Sequence, residues 1–155
     1  MSEMNFSDID AVLAADFDAL EDLPPVGVPP SGVYTLLVNA SKEEGKNGNS
    51  DYIKLTYKVV SVDAVANEEE ASGAAVDMQF SDRFSPIKKD GSVNVTGIGF
   101  LKAALRPFQT HFGTGTVGET LEQIKDVTIV ATLVRTPDKK EEGRWNFRLS
   151  DVVVA

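Results

Sequence analysis

The sequence has no cysteine and only one histidine, His111. Without thiols there is no disulfide framework, no thiolate nucleophile and no iron-sulfur or zinc-thiolate centre. The lone imidazole, in "QTHFG", has no motif partner with which to form a catalytic pair. Long apolar runs are missing as well. The N-terminal "MSEMNFSDIDAVLAADFDALEDL" has no basic start, and acids interrupt its apolar residues, which is unlike a signal peptide or a membrane span. A cytoplasmic protein is expected. No GxxxxGK[ST] phosphate loop occurs, and in "TGIGFLK" Lys102 stands where a dinucleotide fingerprint needs its third glycine. The acid pairs Glu43-Glu44 and Glu141-Glu142 fall in loops, where solvation accounts for them. No cofactor, no metal and no enzymatic activity are expected.

Base is scarce where acid is dense. The chain carries a net charge of -9, but seven of its 24 acids and none of its 15 bases lie in residues 1–25, leaving 17 acids against 15 bases in the remainder. A sequence pI of 4.6 argues against a nucleic-acid partner. Because the excess comes from one end, the objection does not extend to the body.

At 155 residues the chain suffices for one domain that buries roughly 70% of its unfolded surface. The four prolines and two glycines of "LPPVGVPPSG" exclude a helix interior or central strand. They divide an acidic extension with its Pro/Gly linker (1–29) from a folded body (30–155).

The body reads as strands with one helical interruption. "GVYTLLVNAS" (32–41) is apolar on both parities, as in a central strand. "SDYIKLTYKVVSV" (50–62) alternates Ile53, Leu55, Tyr57 and Val59 against Tyr52, Lys54, Thr56 and Lys58. "AAVDMQFSDRF" (74–84) alternates Val76, Met78 and Phe80 against Asp77, Gln79 and Ser81. "TGIGFLKAALRPFQTHFG" (96–113) has Ile98, Leu101 and Leu105 at helical spacing, with Pro107 expected to break or kink it. "TVGETLEQIKD" predicts a short helix capped by Thr116 and Glu119, with Leu121 and Ile124 inward. Strands resume at 126–135 and 143–154.

Three strands, a helical connection and two more strands is the order of a mainly β, five-stranded Greek-key barrel, the OB-fold. It also describes an open sheet with helices on one face. The doubly apolar strands favour the barrel.

The strand 2–3 face of an OB-fold, with its flanking loops, is where oligonucleotides bind. Cations gather there and around the last hairpin: Lys54 and Lys58 on strand 2, Arg83 and Lys88 near the end of strand 3, then Arg135, Lys139, Lys140, Arg144 and Arg148, with Lys42 and Lys46 in the first hairpin loop. Tyr52, Phe84 and Trp145 lie among them. Single strands need this mixture, since a basic track holds the backbone and aromatic faces stack the unpaired bases. Phe84 and Trp145 share parity with apolar neighbours, so a core position is the alternative for both. For the strand 2 lysines the alternative is a solubilised strand face.

The segments "PPSGVYTLLVNA", "SDYIKLTYKVV", "FSDRFSP", "GFLKAALRPF", "TVGETLEQIKDVTIVATLV" and "RWNFRLSDVVV" together resemble the small single-stranded DNA-binding proteins encoded by bacteriophages and prophages. The resemblance covers about residues 29–154. It implies an OB-fold, sequence-tolerant binding of single-stranded DNA and a role in phage DNA replication, recombination or repair. Many such proteins end in an acidic C-terminal tail that docks replication partners and competes with DNA. This chain ends in the strand-like "SDVVVA", and its acidic, aromatic-bearing segment is N-terminal. Phe6, Ile9, Leu13, Phe17 and Leu20, spaced by three or four, make that segment a candidate amphipathic docking helix for replication or recombination proteins; a disordered solubilising leader is the alternative. The rival function is a protein-interaction or virion-structural β-barrel whose lysines only keep it soluble.

Overall fold

A computed structural model of the chain describes residues 13–14, 27–46 and 48–155. Its strands are β1 (Gly32–Glu43), β2 (Tyr52–Val65), β3 (Gln79–Phe84), β4 (Val127–Pro137) and β5 (Trp145–Val154). They form one antiparallel sheet in the order β3-β2-β1-β4-β5. Helices α1 (Val95–Phe112) and α2 (Val117–Gln123) connect β3 to β4, and a 3-10 helix (Glu68–Gly73) connects β2 to β3.

The alternation in the sequence sets which side chains meet. Tyr34, Leu36 and Val38 of β1, Leu55, Tyr57 and Val59 of β2 and Ile129, Ala131 and Leu133 of β4 are buried on the concave face. Lys54, Thr56 and Lys58 point the other way. Leu101, Leu105 and Phe108 form the stripe by which α1 closes over this core, with Ile124 just beyond α2. Ile98, expected inward, is 38% exposed instead. At the helix start the Asn94 side chain accepts from the Gly97 amide at 3.0 Å, and at its end Gly113 takes the left-handed conformation (φ 66) that a C-cap favours. Of the break or kink expected at Pro107, the break does not occur: α1 runs through it. Proline removes one bond, to the carbonyl of Ala103, a residue on the exposed side of the helix. The Thr116 cap forms as its spacing predicts, accepting from the Glu119 amide at 3.1 Å.

The third strand is shorter than the alternation implied. It begins at Gln79, not Ala74, because Asp77 takes a positive φ of 69 and turns the chain. Val76, expected on the apolar face, is 54% exposed.

The sheet curls into a half-barrel. Register shifts opposite Val33/Tyr34 and Thr35/Leu36 leave Asp63 and Val60 as extra residues in β2 and bend that strand, and the two edge strands come together at one aromatic cluster. Phe80 of β3 and Phe147 of β5 meet edge-to-face at 4.9 Å, and Tyr57 packs on them at 5.2 Å and 6.0 Å. Each such pair contributes about 0.5–1.5 kcal/mol beyond its buried area. No backbone ladder joins β3 to β5 among the described residues, so the seam is closed by side chains at one end and open at the other.

The end of the Pro/Gly segment packs with the body. Pro29 and Pro30 are fully buried, the Tyr34 hydroxyl donates to the Pro30 carbonyl, and the Gly27 amide donates to Gln79 at 2.9 Å. Of the candidate docking residues, Leu13 is helical and exposed; Phe6, Ile9, Phe17 and Leu20 lie outside the described residues. Among the described residues, no helix is long and apolar enough to cross a membrane.

Candidate nucleic-acid interface

Strand register builds the outward face. Arg83 of β3 stands opposite Lys54 of β2, which stands opposite Ser41 of β1; the next outward rows are Ser81-Thr56-Asn39 and Gln79-Lys58-Leu37. At the end of this face the Arg83 guanidinium lies over the Tyr52 ring, 5.1 Å from its centroid. Beside the pair is a recess of about 640 Å³ whose walls include Lys46, Lys88, Lys89 and Glu44.

Two loops frame the recess, and both are tied down. In the β1–β2 loop the Gly45 amide donates to Asp51 at 3.0 Å, and a Cβ at Gly45 would lie 2.1 Å from the Asn49 carbonyl oxygen, so only glycine fits. In the β3–α1 loop the Lys88 carbonyl accepts from the Ser50 hydroxyl at 3.0 Å, and Asn94 Nδ2 donates to the Ser85 carbonyl at 2.9 Å. Lysines on such loops have fixed attachment points.

The expected cations separate by how they are neutralised. Among the described residues, Lys46, Lys54, Arg83, Lys88 and Lys89 make no ion pair, whereas Lys58 pairs with Asp77 at 3.5 Å and Arg144 with Asp138 at 3.7 Å and Glu141 at 3.3 Å. Arg135 is an internal strut. It pairs with Glu70 at 3.1 Å, donates to the Val28 carbonyl at 3.1 Å and lies 3.9 Å over the Trp145 ring. That contact covers a face of half-buried Trp145, leaving less ring for a base. Phe84, expected as a stacking residue, faces Ile53 in the ladder and is 6% exposed, so it is a core residue. Lys139 and Lys140 are exposed in the β4–β5 turn, and Arg148 is exposed on β5. Of the twelve residues expected at the groove, Tyr52, Lys54, Arg83 and Lys88 are brought together without neutralisation.

A second cavity adjoins the recess. About 1020 Å³ opens between β3, β5 and α1, walled by Tyr57, Phe84, Phe100 and Phe147; Arg83, Ser85 and Asn94 line both spaces. Asp82 is one of its lining residues. It stands opposite buried Leu55, on the parity of Phe80 and Phe84. Desolvation holds its carboxyl above the usual carboxylate range, partly opposed by the Arg83 amide, which donates to it at 3.1 Å. The Tyr57 phenol is likewise raised, first by burial and then by the Asp82 charge.

Sequence reasoning missed Lys89, Asp82 and Phe100. The signals were present: Asp82 is a charge on the apolar parity of "QFSDRF", and Phe100 falls off the Leu101-Leu105-Phe108 stripe. Among the described residues no group of three or more acidic or histidine side chains is placed to hold a metal ion. Compared with known proteins, the chain matches no family model, no curated sequence and no solved structure.

Proposed function

We propose that this is a non-enzymatic protein of OB-fold type that binds single-stranded DNA with little sequence preference, serving phage or prophage DNA replication, recombination or repair. The half-barrel supports the reading, since an OB-fold is a five-stranded, partly open Greek-key barrel that uses its strand 2–3 face. The observation that carries it is the cluster of five cations, unpaired among the described residues, around Tyr52 at the end of that face. Cations on strands and tied loops beside a half-buried ring, one face of which Arg83 shares, offer the two contacts a single strand requires, phosphate neutralisation and base stacking.

Fluorescence anisotropy of labelled oligo-dT, with duplex of equal length as competitor, tests the proposal. Salt-sensitive binding that duplex fails to displace supports it. No binding at low salt, even after removal of residues 1–25, overturns it in favour of a protein partner. The acidic N-terminal segment is proposed to dock replication or recombination proteins and to compete with DNA; its deletion then tightens binding at low salt, and unchanged affinity refutes the competition.

A further inference from the structure

We propose that the cleft between β3, β5 and α1 is a nucleobase pocket in which Asp82 selects bases that present amino donors, guanine above the others. This rests on the single-strand reading and adds a preference to it.

A carboxylate at position 82 does nothing for the core. Its neighbours on the same parity, Phe80 and Phe84, are each 6% exposed, and the residue opposite, Leu55, is fully buried. An acid there pays a desolvation cost that any apolar residue would avoid. Among the described residues Asp82 has no ion pair, and its one hydrogen bond is from the adjacent Arg83 amide to Oδ1. Oδ2 of this cleft-lining residue therefore has acceptor capacity with nothing assigned to it.

The cleft suits a flat aromatic ligand. Phe100, 65% exposed, is the most exposed aromatic residue among the exposed large hydrophobics and stands on the α1 wall, with Phe147 and Tyr57 on the sheet side. Its volume of about 1020 Å³ is ample for one base and comparable to small-ligand pockets of roughly 300–1,000 Å³. Access is direct, because Arg83, Ser85 and Asn94 are shared walls of the cleft and the basic recess. A strand whose phosphates rest on Lys54, Lys88 and Lys89 passes a base over Arg83 into the cleft.

The carboxylate then sets the preference, since an ionised Asp only accepts hydrogen bonds. Guanine offers N1–H and the N2 amino group side by side, a bidentate match. Cytosine and adenine offer one amino group next to a ring-nitrogen acceptor. Thymine offers a single N3–H flanked by two carbonyl oxygens, which repel the carboxylate.

The test is competition of labelled oligo-dT by oligo-dT strands carrying one central dG, dC, dA or dT, a design that avoids guanine self-association. Expected is a ranking of dG over dC and dA over dT, with dG about tenfold tighter than dT, the lower part of the range for a bidentate base contact. Asp82→Asn abolishes the ranking, weakening dG toward dT and tightening dT as the carboxylate's repulsion is lost, while Phe100→Ala weakens all four and preserves the order. The ranking in the unaltered protein requires no variant to fold. Salt-sensitive dT binding with four equal competitors, or a ranking that survives Asp82→Asn, overturns the pocket while the single-strand reading stands. Absence of binding to every oligonucleotide overturns both.

Discussion

Replacing Lys88 and Lys89 together with glutamine removes two of the five cations near Tyr52 that have no ion-pair partner among the described residues. Both are exposed in the β3–α1 loop, so the variant keeps its fold. For single strands the logarithm of affinity falls with log salt by about 0.7 per phosphate neutralised. Five contacts thus give a slope of about -3.5, a loss of roughly 100-fold between 50 and 200 mM salt. The double variant has a slope of about -2.1 and loses roughly 20-fold over the same interval. The control removes Lys58 and Arg144 instead. Their charges already face Asp77, Asp138 and Glu141, and deleting them changes the slope by less than about 0.7. Anisotropy at four salt concentrations measures both. Equal flattening by the control, or an unchanged slope in the Lys88/Lys89 variant, would refute the division into neutralised and free cations.

Three further outcomes follow from the packing. Arg135→Met removes the Glu70 pair, the Val28 hydrogen bond and the Trp145 contact; thermal melts should show a loss of about 2–3 kcal/mol with the salt slope of DNA binding unchanged. Phe80→Ala, at the seam, is expected to cost about 3–5 kcal/mol in denaturant unfolding, well above Phe100→Ala, whose ring is mostly in solvent. Asp82 makes stability pH-dependent: the folded state holds its proton more tightly than the unfolded chain, so stability falls as pH rises from the ordinary aspartate range through the raised value. The charged or titratable groups sharing its cleft are Tyr57 from β2, Arg83 from β3 and Arg148 and Asp151 from β5, while the lining residues of α1 are uncharged. Asp82→Asn should abolish that slope and stabilise the protein at neutral pH by at most about 1 kcal/mol, given partial solvent screening; melting curves from pH 4 to 8 check it.

Strand identity was legible wherever one parity was plainly apolar, as in "YIKLTYKVV", because a one-residue slip would expose the whole apolar set. The same logic overran in "AAVDMQF". The alternation of Val76, Met78 and Phe80 continues through a turn, and the one hint of it is Asp77 itself, an aspartate being among the few non-glycine residues that tolerate a positive φ. At Pro107 the break, one of the two expected outcomes, does not occur, because the one lost backbone bond is outweighed by the burial of Leu101, Leu105 and Phe108. For the candidate site, the position of the lysines along the strands was readable and their charge state in context was not. Arg135 and Glu70 are 65 residues apart, so only the fold shows that one candidate cation is already neutralised. Asp82 was readable as an anomaly, a charge on a core parity, and becomes informative once the cleft beside it is known.

The open seam itself has a cause in the strand edges. β3 contributes only six residues against 14 of β2, so the sheet reaches its edge with a short strand. A ladder joining β3 to β5 would bring them within about 4.8 Å and eliminate the cleft. Edge strands resist such pairing through charge, short length and bulges, and all three are present here. β3 carries Asp82 and Arg83; β5 carries Arg148 and is interrupted where Asp151 takes a φ of 51, beside the register shift between Val130 and Thr132. Asp82, Arg83, Arg148 and Asp151 are also cleft-lining residues. Edge protection and the proposed ligand contacts therefore fall on one set of side chains, so replacing them with apolar residues would remove the barrier to strand pairing together with the chemistry of the cleft.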